Sequence, residues 1–120
     1  LAGSPNADSL SQRGVDLLAN GDLPGAVQTF REAIAADPNH VEAHHGLIRA
    51  LRDAEQLEAA VAAALVLTTL TPDDPLAQTS LSIALQQAGQ IPEAEAAAGR
   101  ARILEWRQQL ASGPDTAPEV

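Results

Sequence analysis

The side chains of this 120-residue chain best suited to chemistry are three histidines, His40, His44 and His45, and two arginines, Arg49 and Arg52. His40 and His44 stand four apart, a spacing at which one helix can bring two imidazoles to a single metal ion. No third ligand accompanies them, since Glu42 points to another side. The string His40-Val41-Glu42-Ala43-His44 also lacks the Glu directly after the first His that a helical zinc-hydrolase motif requires. His44 falls in a column of bulky packing residues, which predicts a partly buried structural role. No Ser is spaced with a His and a carboxylate as an acyl-transfer triad would need. Lys is absent, which removes Schiff-base chemistry and the phosphate loop ending in Gly-Lys. Cys is absent too, and with it any disulfide, thiolate zinc site or thiol nucleophile. The paired acids Asp73 and Asp74 read as a helix cap. The chain is thus expected to be no enzyme, with no catalytic residue, no cofactor and no metal.

The arginines have two readings. Three residues apart on a helix, Arg49 and Arg52 share a face and can fork a carboxylate. Equally, they can pair with Glu42, Asp53 or Glu55 and solvate that face. The chain as a whole is acidic, with 16 Asp and Glu against 7 Arg, a net charge of −9 and a pI near 4.5. Together with 2% aromatics this excludes nucleic acid as a partner, because stacking platforms and basic stripes are missing. The uncharged stretch Ala59 to Pro72 is too short to cross a bilayer and is rich in Ala and Thr, so no membrane insertion is expected.

These side chains sit in a repeat. Pro38 and Pro72 are 34 apart, and the same shift aligns Leu17, Leu51 and Leu85, then Leu23, Leu57 and Ile91, then Ala26, Ala60 and Ala94. Gly21 and Gly89 bracket a column where the middle copy has Glu55. Within each copy apolar residues recur at three and four, the period of a helix. Leu10, Gly14, Leu17 and Leu18 form one face before Asn20-Gly21-Asp22 interrupts it. Ala26, Phe30, Ala33 and Ile34 form a second before Asp37-Pro38-Asn39. The spacing predicts six helices, over 7–20, 24–36, 41–54, 58–70, 75–88 and 92–110, with Pro24, Pro75 and Pro92 just inside helix starts. Residues 1–6 and 111–120, small and turn-forming or rich in Pro, are expected to be mobile. A first residue other than Met predicts a chain processed or excised from a longer one.

The columns resemble the tetratricopeptide repeat, whose pattern is a bulky residue, Leu-Gly, an aromatic, then Ala, Phe and Pro. The first copy reads Leu10, Arg13-Gly14, Leu17, Ala26, Phe30 and Pro38. The second reads His44, Leu47-Ile48, Leu51, Ala60, Ala64 and Pro72. The third reads Gln78, Leu81-Ser82, Leu85, Ala94 and Ala98, with Trp106 where Pro would fall. Copies at about 7–40, 41–74 and 75–110 imply an all-α, right-handed solenoid of three helix-turn-helix units with an extended last helix. Ile48, Ala64 and Ala98 depart from the pattern, and bear on packing.

In that family the first helix of each pair lines a concave groove where partner peptides lie. The resemblance therefore implies a non-catalytic interaction module, an adaptor or scaffold, whose groove is lined by Ser11, Val15, His45, Arg49, Arg52, Thr79, Ile83 and Gln86, among others. The best-known family clamp, which grips the acidic C-terminus of heat-shock chaperones with Lys, Asn and Arg, would fall on Ser11, Val15, Gly46, Leu76 and Ser80. None of them matches.

A second surface lies at the end of the last helix. Gly99, Ile103, Trp106 and Leu110 form an apolar stripe apart from the inward line of Ala94, Ala97 or Ala98, Ala101 and Leu104, with Arg100, Arg102 and Arg107 nearby. It either folds back on neighbours such as Leu76 and Leu85 or docks another chain, including a second copy. Arg without Lys, and heavy use of Ala, match the coding bias of a high-GC bacterium. The Cys-free composition is compatible with cytoplasm or periplasm, the cytoplasm slightly favoured.

Overall fold

The computed structural model describes residues 6–113, and among them every regular element is helical. The six helices are α1 (Ala7–Ala19), α2 (Leu23–Ala36), α3 (Val41–Asp53), α4 (Leu57–Leu70), α5 (Pro75–Gln87) and α6 (Ile91–Ser112). Five end within a residue of the expected bounds, and α6 runs to Ser112, two residues further. Of the segments expected to be mobile, 1–6 and 111–120, residues 1–5 and 114–120 lie outside the described residues, whereas Asn6 caps α1 and Ala111 and Ser112 form the last turn of α6, which no Pro or Gly interrupts before Gly113.

Local chemistry sets the breaks. Asn6, Asp22 and Asp74 cap α1, α2 and α5 by accepting from the backbone N–H of Ser9, Gly25 and Leu76. Pro24, Pro75 and Pro92 occupy first-turn positions, where no N–H is needed. Between the helices of each pair the chain turns through a left-handed residue. Gly21 and Gly89 take φ of 83° and 82°, and Glu55 in the same column is forced to 59°.

Each pair is an antiparallel hairpin, and consecutive hairpins stack. The alanine column is buried in every copy, with Ala26, Ala60 and Ala94 at 0%, 0% and 4% exposure, whereas Leu17 is only half-buried where Leu51 and Leu85 are buried, and Ile91 is exposed. A ring at Phe30 fills the first junction. Gly14 on α1 and Gly46 on α3 leave it room, since a Cβ on either would stand 2.8 or 2.3 Å from that ring. In the second copy the bulk moves to the other helix. Ile48 replaces the small residue and Ala64 replaces the aromatic, and the two belong to one buried cluster. In the third both columns are small, and the Ser82 hydroxyl donates to the Ala94 carbonyl at 2.8 Å.

The solenoid curves. α1 packs on α3 and α3 on α5, whereas α2 and α4, like α4 and α6, do not meet. The first helices therefore lie on the inner side of the curve. At the far end α5 is the one helix on which α6 packs, and the outward edge of α6 is charged. Glu95 stands where Val27 and Val61 pack against the core, and Arg102 where Ile34 and Thr68 stand. That polar edge caps the stack, and the apolar stripe adjoins it: Gly99 and Trp106 stand four and eleven residues after Glu95 on the same line of α6, with Ile103 and Leu110 at its flank.

Candidate functional site

On the inner face a cleft of about 550 Å³ opens between α1 and α3. Asp8, Ser11, Gln12 and Val15 line it from α1, and Glu42, His45 and Gly46 from α3. Four-residue helical spacing puts Ser11 and Val15 on one face, and stacking brings His45 opposite them. Ser11 is buried, Val15 is exposed, and His45 is half-buried with Nδ1 3.2 Å from the Ser80 hydroxyl of α5. Burial lowers the His45 pKa below 6.5, against an opposing pull from Asp74, and His44 adds to the lowering.

The arginines are not brought together. Arg49 Nε donates to Asp53 at 3.1–3.2 Å along its own helix, while Arg52 Nε donates across to Gln87 Oε1 on α5. Arg52 lines a separate hollow at the end of α3 with Asp53, Glu55, Leu57 and Gln87. Thr79, Ile83 and Gln86 are exposed along α5, outside both hollows.

The histidines have separate structural duties. His40 Nδ1 accepts from the Ala43 N–H and caps α3, so its proton sits on Nε2, 2.6 Å from Asp8. His44, 4% exposed, donates from Nε2 to the Pro38 carbonyl at 2.7 Å. Among the described residues no three His, Cys, Asp or Glu side chains are grouped to hold a metal ion, and no described helix is long and apolar enough to cross a membrane.

Two further surfaces stand out. The stripe at the end of α6 is open, with Ile103 at 51% and Trp106 and Leu110 at 60% exposure. It does not fold back on Leu76, itself 62% exposed, or on Leu85, which is buried elsewhere. The overrun is instead tied by Gln108, whose side chain donates to the Asp73 carbonyl at 3.0 Å. On the outer face an apolar cavity of about 460 Å³ separates α2 from α4, lined by Arg31, Ile34, Ala35, Ala59, Ala62, Ala63 and Val66 over a floor of His44 and Leu47. Sequence reasoning did not single out that cavity. The signal was the run of small residues facing one another across the columns of α2 and α4.

Residues 17–82, more than half of the chain, match the tetratricopeptide repeat family. The chain belongs to that family. Tetratricopeptide repeats are protein-interaction scaffolds, and this chain is a three-repeat example. Solved structures share its fold. MamA superposes with a TM-score of 0.80 at 18% identity, over 87% of this chain and 61% of MamA. The Yersinia enterocolitica type III secretion translocator chaperone SycD gives 0.76 at 18%, over 88% and 86%. The first repeat domain of Spaghetti (RPAP3), bound to the HSP90 peptide SRMEEVD, gives 0.76 at 18%, over 82% and 79%. The chain thus spans about three fifths of MamA. No curated protein sequence matches it.

Proposed function

We propose that this tetratricopeptide domain is a non-catalytic adaptor that holds a partner's peptide or helix on its inner face. The observation that carries the reading is the cleft between α1 and α3, where side chains of two successive repeats converge on one hollow. Val15 and Ile83 offer apolar contact on either side of α3, and Arg49 and Arg52 offer charge. A partner carboxylate has to compete with Asp53 for Arg49, which favours partners carrying more than one acidic group in that region. Spaghetti binds an HSP90 peptide and SycD is a chaperone of translocators; binding an extended partner segment fits the same architecture here. A chaperone tail like SRMEEVD is a poor candidate, because the chain holds no Lys with which to grip it.

The exposure of Trp106 supports a second reading, docking through the stripe of the last helix. Capture from a lysate of the source cells separates the two. With the groove reading, Arg49→Glu combined with Arg52→Glu loses the partner, and Ile103→Ser combined with Trp106→Ala keeps it. The reverse pattern overturns the groove.

A further inference from the structure

We infer that the apolar stripe of α6 docks into the outer-face cavity between α2 and α4 of a second copy of this chain, joining copies head to tail. This rests on the docking reading of the last helix and adds the seat in which the stripe lies.

The cavity is not a general property of stacked repeats, as the next junction shows. The columns of His44 and Val66 become Gln78 and Arg100 one repeat on, and there Arg100 Nε donates to Gln78 Oε1 at 3.0 Å, bridging the space with polar groups. In the first junction His44 is turned to its own loop carbonyl and Val66 is apolar, so the space stays open. A hollow between two helices receives one face of a third, read as apolar residues at helical spacing. Ile103, Trp106 and Leu110 present such a face at the end of α6, the last two on the turns that extend beyond the repeat.

Charge selects the second copy and its orientation. Residues 98–113 hold Arg100, Arg102 and Arg107 against Glu105 alone. Residues 1–97 hold thirteen of the sixteen acids and only four of the seven arginines. The second half of α6 is thus an arginine-rich, apolar edge on an acidic body, and in the overrun itself Arg107 is balanced by Glu105. A symmetric pairing of stripe with stripe brings six arginines together, whereas the seat has Arg31 as its single charged lining residue, which Glu105 of an incoming helix can meet. At the seat, Arg31 makes no ion pair among the described residues, nor does Glu105 beside Trp106, so the two are available to each other. Such a contact uses different patches on the two copies and propagates from one to the next.

The test is sedimentation of the full chain over a range of concentrations, with Trp106→Ala removing the knob and Ala62→Arg filling the seat. Ala62 is exposed, so its replacement leaves the core intact, and circular dichroism checks both variants. The wild type is expected to gain mass with concentration, and each variant to stay at 12.4 kDa. An equimolar mixture of the two variants should form one species of twice that mass and nothing larger, since one supplies the seat and the other the stripe. A wild type that stays monomeric, or a mixture that stays monomeric while the wild type associates, overturns the proposal. If Ala62→Arg associates like the wild type while Trp106→Ala does not, the stripe docks elsewhere: the seat is wrong and the docking reading stands.

Discussion

Gly46 and Phe30 are in contact so close that a single methyl group on the glycine would stand 2.3 Å from the ring. Gly46 lies on the inner cleft, yet what it does is admit the neighbouring repeat's aromatic. Gly46→Ala gains about 1 kcal/mol of helix propensity and incurs an overpacking cost of about 1–3 kcal/mol. The expected net loss is read by urea denaturation. Gly99→Ala is the matched control. The nearest atom to a Cβ there is an Arg102 nitrogen at 3.7 Å, so the same change in α6 should stabilise by about 0.5–1 kcal/mol.

Glu55 is the only described non-glycine residue with positive φ, in the column where the other copies have Gly. A left-handed residue with a Cβ is strained by about 1–2 kcal/mol, and glycine gives part of that back as unfolded-state entropy. Glu55→Gly should therefore raise the thermal midpoint, and Gly21→Ala and Gly89→Ala should each lower it. A lower midpoint for Glu55→Gly would show that the turn carries no strain.

Asp53 occupies Arg49 in the free protein. If the inner face takes an acidic partner, Asp53→Ala releases that guanidinium and tightens binding several-fold, with the effect fading at high salt. Titration calorimetry with the captured partner's peptide checks it. Weaker binding by Asp53→Ala would mean that the aspartate itself contacts the partner.

His45 gives the fold a pH response. Burial lowers its pKa, so the unfolded chain binds its proton at higher pH than the folded one. The stability that His45 contributes is complete above its ordinary value of 6.5 and is lost as pH falls from there through the folded value. Thermal melts from neutral pH to about pH 5 should show a decline that is smaller in His45→Gln. An equal decline in both would place the titrating group elsewhere.

Most of the fold was legible because its information is periodic. The 34-residue shift, the prolines at helix starts and the Asn-Gly turn located all six helices within one or two residues. For the same reason the shift puts Ser11, Val15 and His45 on one cleft, whereas Arg49, Arg52, Thr79, Ile83 and Gln86 lie outside it. Departures from the pattern were harder. Ile48 and Ala64 each look like damage when read singly, and only their shared cluster shows that one offsets the other. The arginines were ambiguous because two long side chains three apart can reach the same ligand or different neighbours. Gln87, which holds Arg52, lies 35 residues away and gives no local signal. The outer cavity depends on what fails to bridge it, and a missing contact has no periodicity.

The exchange of bulk between Ile48 and Ala64 also gives the repeats a fixed order. Copy one carries its large residue on the second helix and needs a glycine at position 46 in its successor. Copy two carries it on the first helix and is followed by Ser80 in that same column. Deleting copy two would set the Phe30 ring against a serine, and repeating copy one would set it against Gln12. Each unit is keyed to its neighbour, so tandem duplication or loss within this domain is closed off as a route to a longer or shorter solenoid unless the key changes first.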